Sequence, residues 1–201
     1  MASGLLNVVG EHMNGLQMAG IANITASKLN GVQIALCNYA TQARGLQIGL
    51  VNYYKEDMKG FQLGLVNANP DTRVQMMVYG GNATPANIGV RFKNQLFYTI
   101  LGIGSMYQGL NDKFSASASY RAGLSFTLYK GLSISGDLGY QHIEAFDNKD
   151  EVIPKRLYAL QARANLEYQF TRKFGIFATG GYGLTLSLIH ISEPTRPISI
   201  S

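Results

Sequence analysis

The chain has 201 residues, of which 14% are charged, with 23 Gly, 12 Tyr and a formal charge of +5. That charge content lies well below the ~25% of ordinary soluble domains, and no run approaches the ~18 consecutive apolar residues of a membrane helix. A single cysteine, Cys37, excludes a disulfide framework or zinc cluster within the chain, and basic residues scattered through turns and strand ends argue against a nucleic-acid partner.

Met1-Ala2-Ser3-Gly4 leads straight into a strand-like repeat, without a basic region or an apolar leader. The expectation is a chain that starts inside a longer natural sequence. The first third is repetitive: Gly15-Leu16-Gln17-Met18-Ala19-Gly20-Ile21-Ala22-Asn23 is followed by Gly31-Val32-Gln33-Ile34-Ala35-Leu36-Cys37-Asn38. Two further copies are Gly45-Leu46-Gln47-Ile48-Gly49-Leu50-Val51-Asn52 and Gly60-Phe61-Gln62-Leu63-Gly64-Leu65-Val66-Asn67. The closing residues Asn23, Asn38, Asn52 and Asn67 recur at intervals of 15, 14 and 15, and Ser3-Gly4-Leu5-Leu6-Asn7 matches the tail of an earlier copy.

Within G-x-Q-x-G-x-x-N, Leu46, Ile48 and Leu50 fall on one strand face and Gln47, Gly49 and Val51 on the other. Gln17, Gln33, Gln47 and Gln62 each offer a donor and an acceptor, so neighbouring copies can bond one another through a polar ladder. Asn at the end suits a turn, and the polar segments Tyr39–Arg44 and Tyr53–Lys59 read as connections. One strand and one turn per ~15 residues is the resulting expectation, with a β-bulge absorbing the odd residue.

These copies, over about residues 3–67, resemble the surface-repeat proteins of outer-membrane-bearing bacteria, whose units read roughly GVQIGLVN. Ala19, Ala35 and Leu36 depart from the commonest form. The resemblance implies a place at the cell surface and no activity.

Val74–Tyr79 and Asn87–Phe92 read as short strands around Gly80-Gly81-Asn82-Ala83-Thr84-Pro85, taken as a turn. Leu96–Tyr107 follows, then a loop at Gln108–Lys113. The run 115–129 alternates Ala116, Ala118, Tyr120, Ala122, Leu124, Phe126 and Leu128 with Ser115, Ser117, Ser119, Arg121, Gly123, Ser125 and Thr127. One face is apolar and the other polar. Lys130-Gly131 turns into Leu132–Ile143, and a charged loop, Glu144–Pro154, leads to Tyr158–Phe170. There Gln161, Arg163, Asn165 and Glu167 oppose an apolar row, and Thr171-Arg172-Lys173 turns the chain into Phe174–Leu184. This section resembles in pattern the C-terminal hairpins of outer-membrane β-barrels. Strands this long, with alternating short and long turns, are what such a barrel requires.

Turn asymmetry would place Lys130-Gly131 and Thr171–Lys173 on the periplasmic side, with further strands missing at both ends. Leu186–Arg196 resembles the in-frame translation of a sequencing adapter, so residues 186–201 are read as non-native. The domain reading is 1–73 repeat strands, 74–185 barrel hairpins and 186–201 tail.

Catalytic signals are weak. His12 and His142 have no metal-ligand spacing to another ligand, and neither a nucleophile elbow nor a phosphate loop occurs. An unpaired Arg facing lipid costs roughly 2–4 kcal/mol. Arg121, Asp137, Gln161, Arg163, Asn165 and Glu167 are therefore expected to face a lumen, with Arg163 and Glu167 sharing one strand face and Arg121 and Asp137 in neighbouring strands.

The fold class expected is all-β, an antiparallel transmembrane β-barrel of which about twelve strands are present. The function expected is a structural surface protein or passive pore of the bacterial outer membrane, without enzyme activity or cofactor. Its partners would be outer-membrane lipid and small solutes. The alternative is a parallel β-solenoid in which the Gln and Asn residues stack as ladders, forming a surface-exposed binding module.

Overall fold

A computed structural model describes residues 1–80, 86–108, 113–147, 155–171 and 174–188. The expected turn at Asn82-Ala83-Thr84, most of the loops at 108–113 and 144–154, and residues 189–201 of the expected tail lie outside these residues. The fold is all-β, with no helix among the described residues.

Strands β1 (Ala2–Ser3), β2 (Leu6–Val9), β3 (His12–Ala19), β4 (Ala22–Ile34), β5 (Cys37–Ile48), β6 (Val51–Leu63) and β7 (Val66–Ala68) form one sheet, and every pairing in it is parallel. This is a β-solenoid of stacked coils. It overturns the antiparallel meander expected for the repeats, and with it their reading as strands of an outer-membrane β-barrel of the surface-repeat family. The reason lies in the register. Gln17, Gln33, Gln47 and Gln62 stand directly opposite one another on successive coils, as do Asn7, Asn23, Asn38, Asn52 and Asn67. Only a parallel, in-register stack places identical residues side by side, where each amide donates to the next.

Tyr39–Arg44 and Tyr53–Lys59, expected as connections, lie inside β5 and β6. The chain turns instead at Ala35-Leu36, Gly49-Leu50 and Gly64-Leu65. Differences in coil length are absorbed mid-strand, where the register shifts between Thr25 and Lys28 and between Ala40 and Gln42. Gly31, Gly45 and Gly60 have φ of 143°, 130° and 148°. A Cβ on Gly45 would stand 2.0 Å from the carbonyl oxygen of Gly31, so the coil can neither bend nor stack there with another residue. Met13, Leu29, Ala40 and Ala43 make a small apolar core beside the amide ladders.

The second sheet is an antiparallel meander of β8 (Arg73–Tyr79), β9 (Ala86–Asn94), β10 (Phe97–Gln108), β11 (Lys113–Tyr129), β12 (Leu132–Asp147), β13 (Lys155–Gln169) and β14 (Gly175–Leu188). These strands follow the alternation of the sequence, and β14 carries Leu186 into the ladder opposite Tyr158. The sheet is open: β8 and β14 are its edges, with no backbone ladder between them among the described residues. A closed transmembrane barrel is therefore not the fold, and the count of missing strands that rested on it falls away. The sheet nevertheless curls, because Tyr79 of β8 meets Phe177 of β14 edge-to-face at 6.3 Å between ring centroids.

The two sheets meet at the last coil. Tyr120 Oη donates to Gly64 O at 2.8 Å, Thr99 Oγ1 to Leu65 O at 3.0 Å, and Asn94 Nδ2 to Asn67 O. Polarity is inverted in both sheets. The amides of Gln17, Gln33 and Gln47 are 0% exposed, whereas Phe61 is 71%, Met76 81% and Val78 78% exposed.

Candidate functional site

The curl of the antiparallel sheet brings the odd-numbered positions of β11–β14 onto a concave face. Arg121 Nε and Nη2 grip Asp137 Oδ1 and Oδ2 at 2.9 and 2.7 Å, a bidentate geometry in which charge and hydrogen bonding reinforce each other. The register sets each opposite a glycine, Arg121 against Gly139 and Asp137 against Gly123, so the pair meets diagonally without crowding. Asp137 Oδ2 also accepts from Tyr98 Oη and Asn165 Nδ2, both at 2.8 Å. Asn165 Oδ1 in turn accepts from Arg121 Nη2 at 3.2 Å and Thr179 Oγ1 at 2.7 Å.

Nearer the other end, Arg91 Nη1 and Nη2 clasp Glu167 at 2.7 Å each, and Arg91 Nε donates to Gln75 Oε1 at 2.8 Å. Since Arg91 lies on β9 and Glu167 on β13, this pair ties together strands far apart in the ladder. Lys93 Nζ donates to Ser125 Oγ at 2.8 Å. The Arg91 and Arg121 guanidinium groups lie over the Tyr98 and Tyr79 rings, 5.6 and 5.8 Å from the centroids.

Burial alone would raise the carboxyl groups of Asp137 and Glu167. The hydrogen bonds and charge of Arg121 and Arg91, respectively, outweigh it and hold both below the usual carboxylate range. Burial pushes the Tyr98 phenol up, and burial together with neighbouring Arg91 pushes the Lys93 ammonium down.

Arg121, Asp137, Gln161, Arg163, Asn165 and Glu167 thus share one concave face, and Arg121 lies against Asp137. Glu167, on the same strand face as Arg163, pairs with Arg91. Arg163 is left 3.9 Å from Asp137 Oδ1, whose oxygens are already committed. Sequence reasoning missed Arg91, Lys93, Tyr98 and Tyr79. The first two could have been found by extending the alternation Asn87, Gly89, Arg91, Lys93 into β9. His142 lies 3.2 Å from Glu144 and against the Tyr158 ring, and no group of three or more His, Cys, Asp or Glu side chains suited to a metal occurs among the described residues.

The second polar constellation is the interior of the solenoid. Gln33, Gln47 and Gln62 each donate through Nε2 to Oε1 of the preceding Gln at 2.8–2.9 Å. Asn7, Asn23, Asn38 and Asn52 each donate to Oδ1 of the following Asn at 2.9–3.0 Å. Asn38 and Asn52 also donate to the carbonyls of Ile48 and Leu63, closing each coil across its short axis. Apart from Gln17 Nε2, which is buried without a partner at the start of the ladder, these amides are occupied with one another and hold the coils in place.

The outer surface of the solenoid is a different kind of array. Leu16, Met18, Leu36, Leu50, Phe61 and Leu63 project outward, and Tyr39 and Tyr53 stack on adjacent coils with ring centroids 5.7 Å apart. Neither family models, nor curated proteins, nor solved structures give a match to this chain.

Proposed function

We propose that this chain is a non-catalytic, surface-exposed β-solenoid binding module of the bacterial outer membrane. In this reading it associates with outer-membrane lipid through the outward apolar side chains of its two sheets. The observation that carries the proposal is the inverted polarity. Amides and ion pairs line the interior beside two small apolar clusters, around Leu29 and Ile100, while Leu16, Leu50, Phe61, Met76, Val78 and Leu138 face outward. An apolar surface on this scale marks an interaction site, and the net charge of +5 favours an anionic partner surface. The ladders supply rigidity, so the outer side chains repeat at the ~4.8 Å spacing of stacked strands.

The test is flotation of the full chain with vesicles of phosphatidylethanolamine and phosphatidylglycerol, with and without lipopolysaccharide. Co-flotation, strengthened by lipopolysaccharide, is the expected result. A chain that stays monodisperse without detergent and remains at the bottom of the gradient overturns the reading.

A further inference from the structure

A cavity of about 370 Å³ opens on the concave face, lined in part by Tyr79, Ser119, Gln161, Arg163, Thr179 and Thr185. We propose that it binds a small hydroxylated carboxylate of about monosaccharide size, of the uronic-acid class, with Arg163 taking the carboxylate and Gln161 a ligand hydroxyl.

Three observations carry this. First, the cationic groups of the concave face are not equivalent. Arg121 and Arg91 each hold a carboxylate bidentately, and Lys93 is bonded to Ser125. Arg163 makes no hydrogen bond among the described residues and only approaches Asp137 at 3.9 Å. That carboxylate already accepts from Arg121, Tyr98 and Asn165. A guanidinium fork with unused donors in a partly desolvated site matches a carboxylate in plane and in charge.

Second, Gln161 Oε1 is buried and has no partner, while its Nε2 donates to Gln141 Oε1 at 3.4 Å. A buried acceptor left unmade costs ~1–3 kcal/mol, and a ligand hydroxyl would satisfy it. The hydroxyl-bearing residues Tyr79, Ser119, Thr179 and Thr185 line the same cavity; the Thr179 hydroxyl already donates to Asn165 and keeps its acceptor capacity for a polyhydroxylated ligand.

Third, the space around Arg163 is kept open by glycine. A Cβ on Gly181 would stand 2.9 Å from Arg163 Cγ, and one on Gly139 would stand 3.2 Å from its Nη1. A side chain at Gly181 would press on the stem of Arg163, and one at Gly139 on its guanidinium. The volume lies within the range of small-molecule sites, and at its side the Tyr79–Phe177 contact links the two edge strands. The site is independent of lipid association, so either proposal can fail alone.

The experiment is calorimetric titration of the full folded chain with galacturonate, glucose, acetate and inorganic phosphate, on the parent, Arg163→Gln and Gln161→Leu. The expected result is galacturonate binding by the parent, at least tenfold weaker in Arg163→Gln, and no binding of glucose. Gln161→Leu should lose affinity for galacturonate several-fold while leaving acetate unchanged, which carries the test if Arg163→Gln does not fold. Three results overturn the proposal: no galacturonate binding by the parent, phosphate bound as tightly as galacturonate, or galacturonate affinity unchanged in both variants.

Discussion

At the scale of single residues, the solenoid depends on amides whose partners are one another. Asn38 sits mid-ladder, accepting from Asn23 Nδ2 and donating to Asn52 Oδ1 and Ile48 O. Truncation to Ala leaves a buried donor on one side and buried acceptors on the other, each costing ~1–3 kcal/mol. Asn38→Ala should therefore destabilise the solenoid by several kcal/mol. Gly45→Ala should do at least as much, because it adds a backbone clash to a φ of 130°. Urea unfolding followed by circular dichroism reads both, and a change below ~1 kcal/mol in each would refute the ladder as the stabilising element. The identity of these residues was legible in the sequence, because four copies repeat Gly, Gln and Asn at fixed offsets. Their role was only partly so. Asn23, Asn38, Asn52 and Asn67 read both as turn formers and as ladder members, and they lie buried in a ladder between parallel coils. A period of two describes a strand equally well whether its neighbour is parallel or antiparallel.

At the scale of elements, the antiparallel sheet and the solenoid answer acid differently. Asp137 and Glu167 have folded pKa values below their unfolded ones. Their contribution to stability is thus complete above the unfolded carboxyl range of about 4 and is lost as pH falls through the lower folded values. The solenoid interior relies on uncharged amides. Acid titration below about pH 4 should therefore loosen β9–β13 first, with backbone amide exchange as the measurement. Asp137→Asn should remove part of that pH dependence, whereas simultaneous loss of both sheets would show that the ion pairs are not the acid-sensitive element. Strands β11–β13 were legible because each alternates cleanly and meets a turn signal such as Lys130-Gly131, whereas β8 and β9 read only as short strands. The Arg91–Glu167 pair was not, since it spans 76 residues and exists only because the sheet curls. Spacing placed Arg163 and Glu167 on one strand face, but alternation says nothing about the curvature that brings Arg91 to that face.

At the scale of the whole molecule, the seam between the sheets is a set of side-chain donors set against main-chain acceptors of the last coil. Thr99→Val with Tyr120→Phe removes two of them, and each hydrogen bond is worth ~0.5–1.5 kcal/mol. The expected outcome is faster proteolytic cleavage in the short connection at 69–72, with the two sheets themselves retained. An unchanged cleavage rate would mean that the seam is held by other contacts. The inverted polarity belongs to this scale too. Alternation in β11–β14 already led to the expectation of polar residues inside and apolar faces outside; what it did not carry is that this interior is the concave face of an open, curled sheet rather than a closed lumen.

One property of the coil stack reaches further. Successive Asn residues are 16, 15, 14 and 15 apart, yet each coil presents the same Gly, Gln and Asn to its neighbours, because surplus residues are shed at the mid-coil elbow. The contact between coils is therefore blind to how many coils precede it. Coil number becomes a free parameter of the architecture, one that duplication or loss of a unit can change without redesigning any interface.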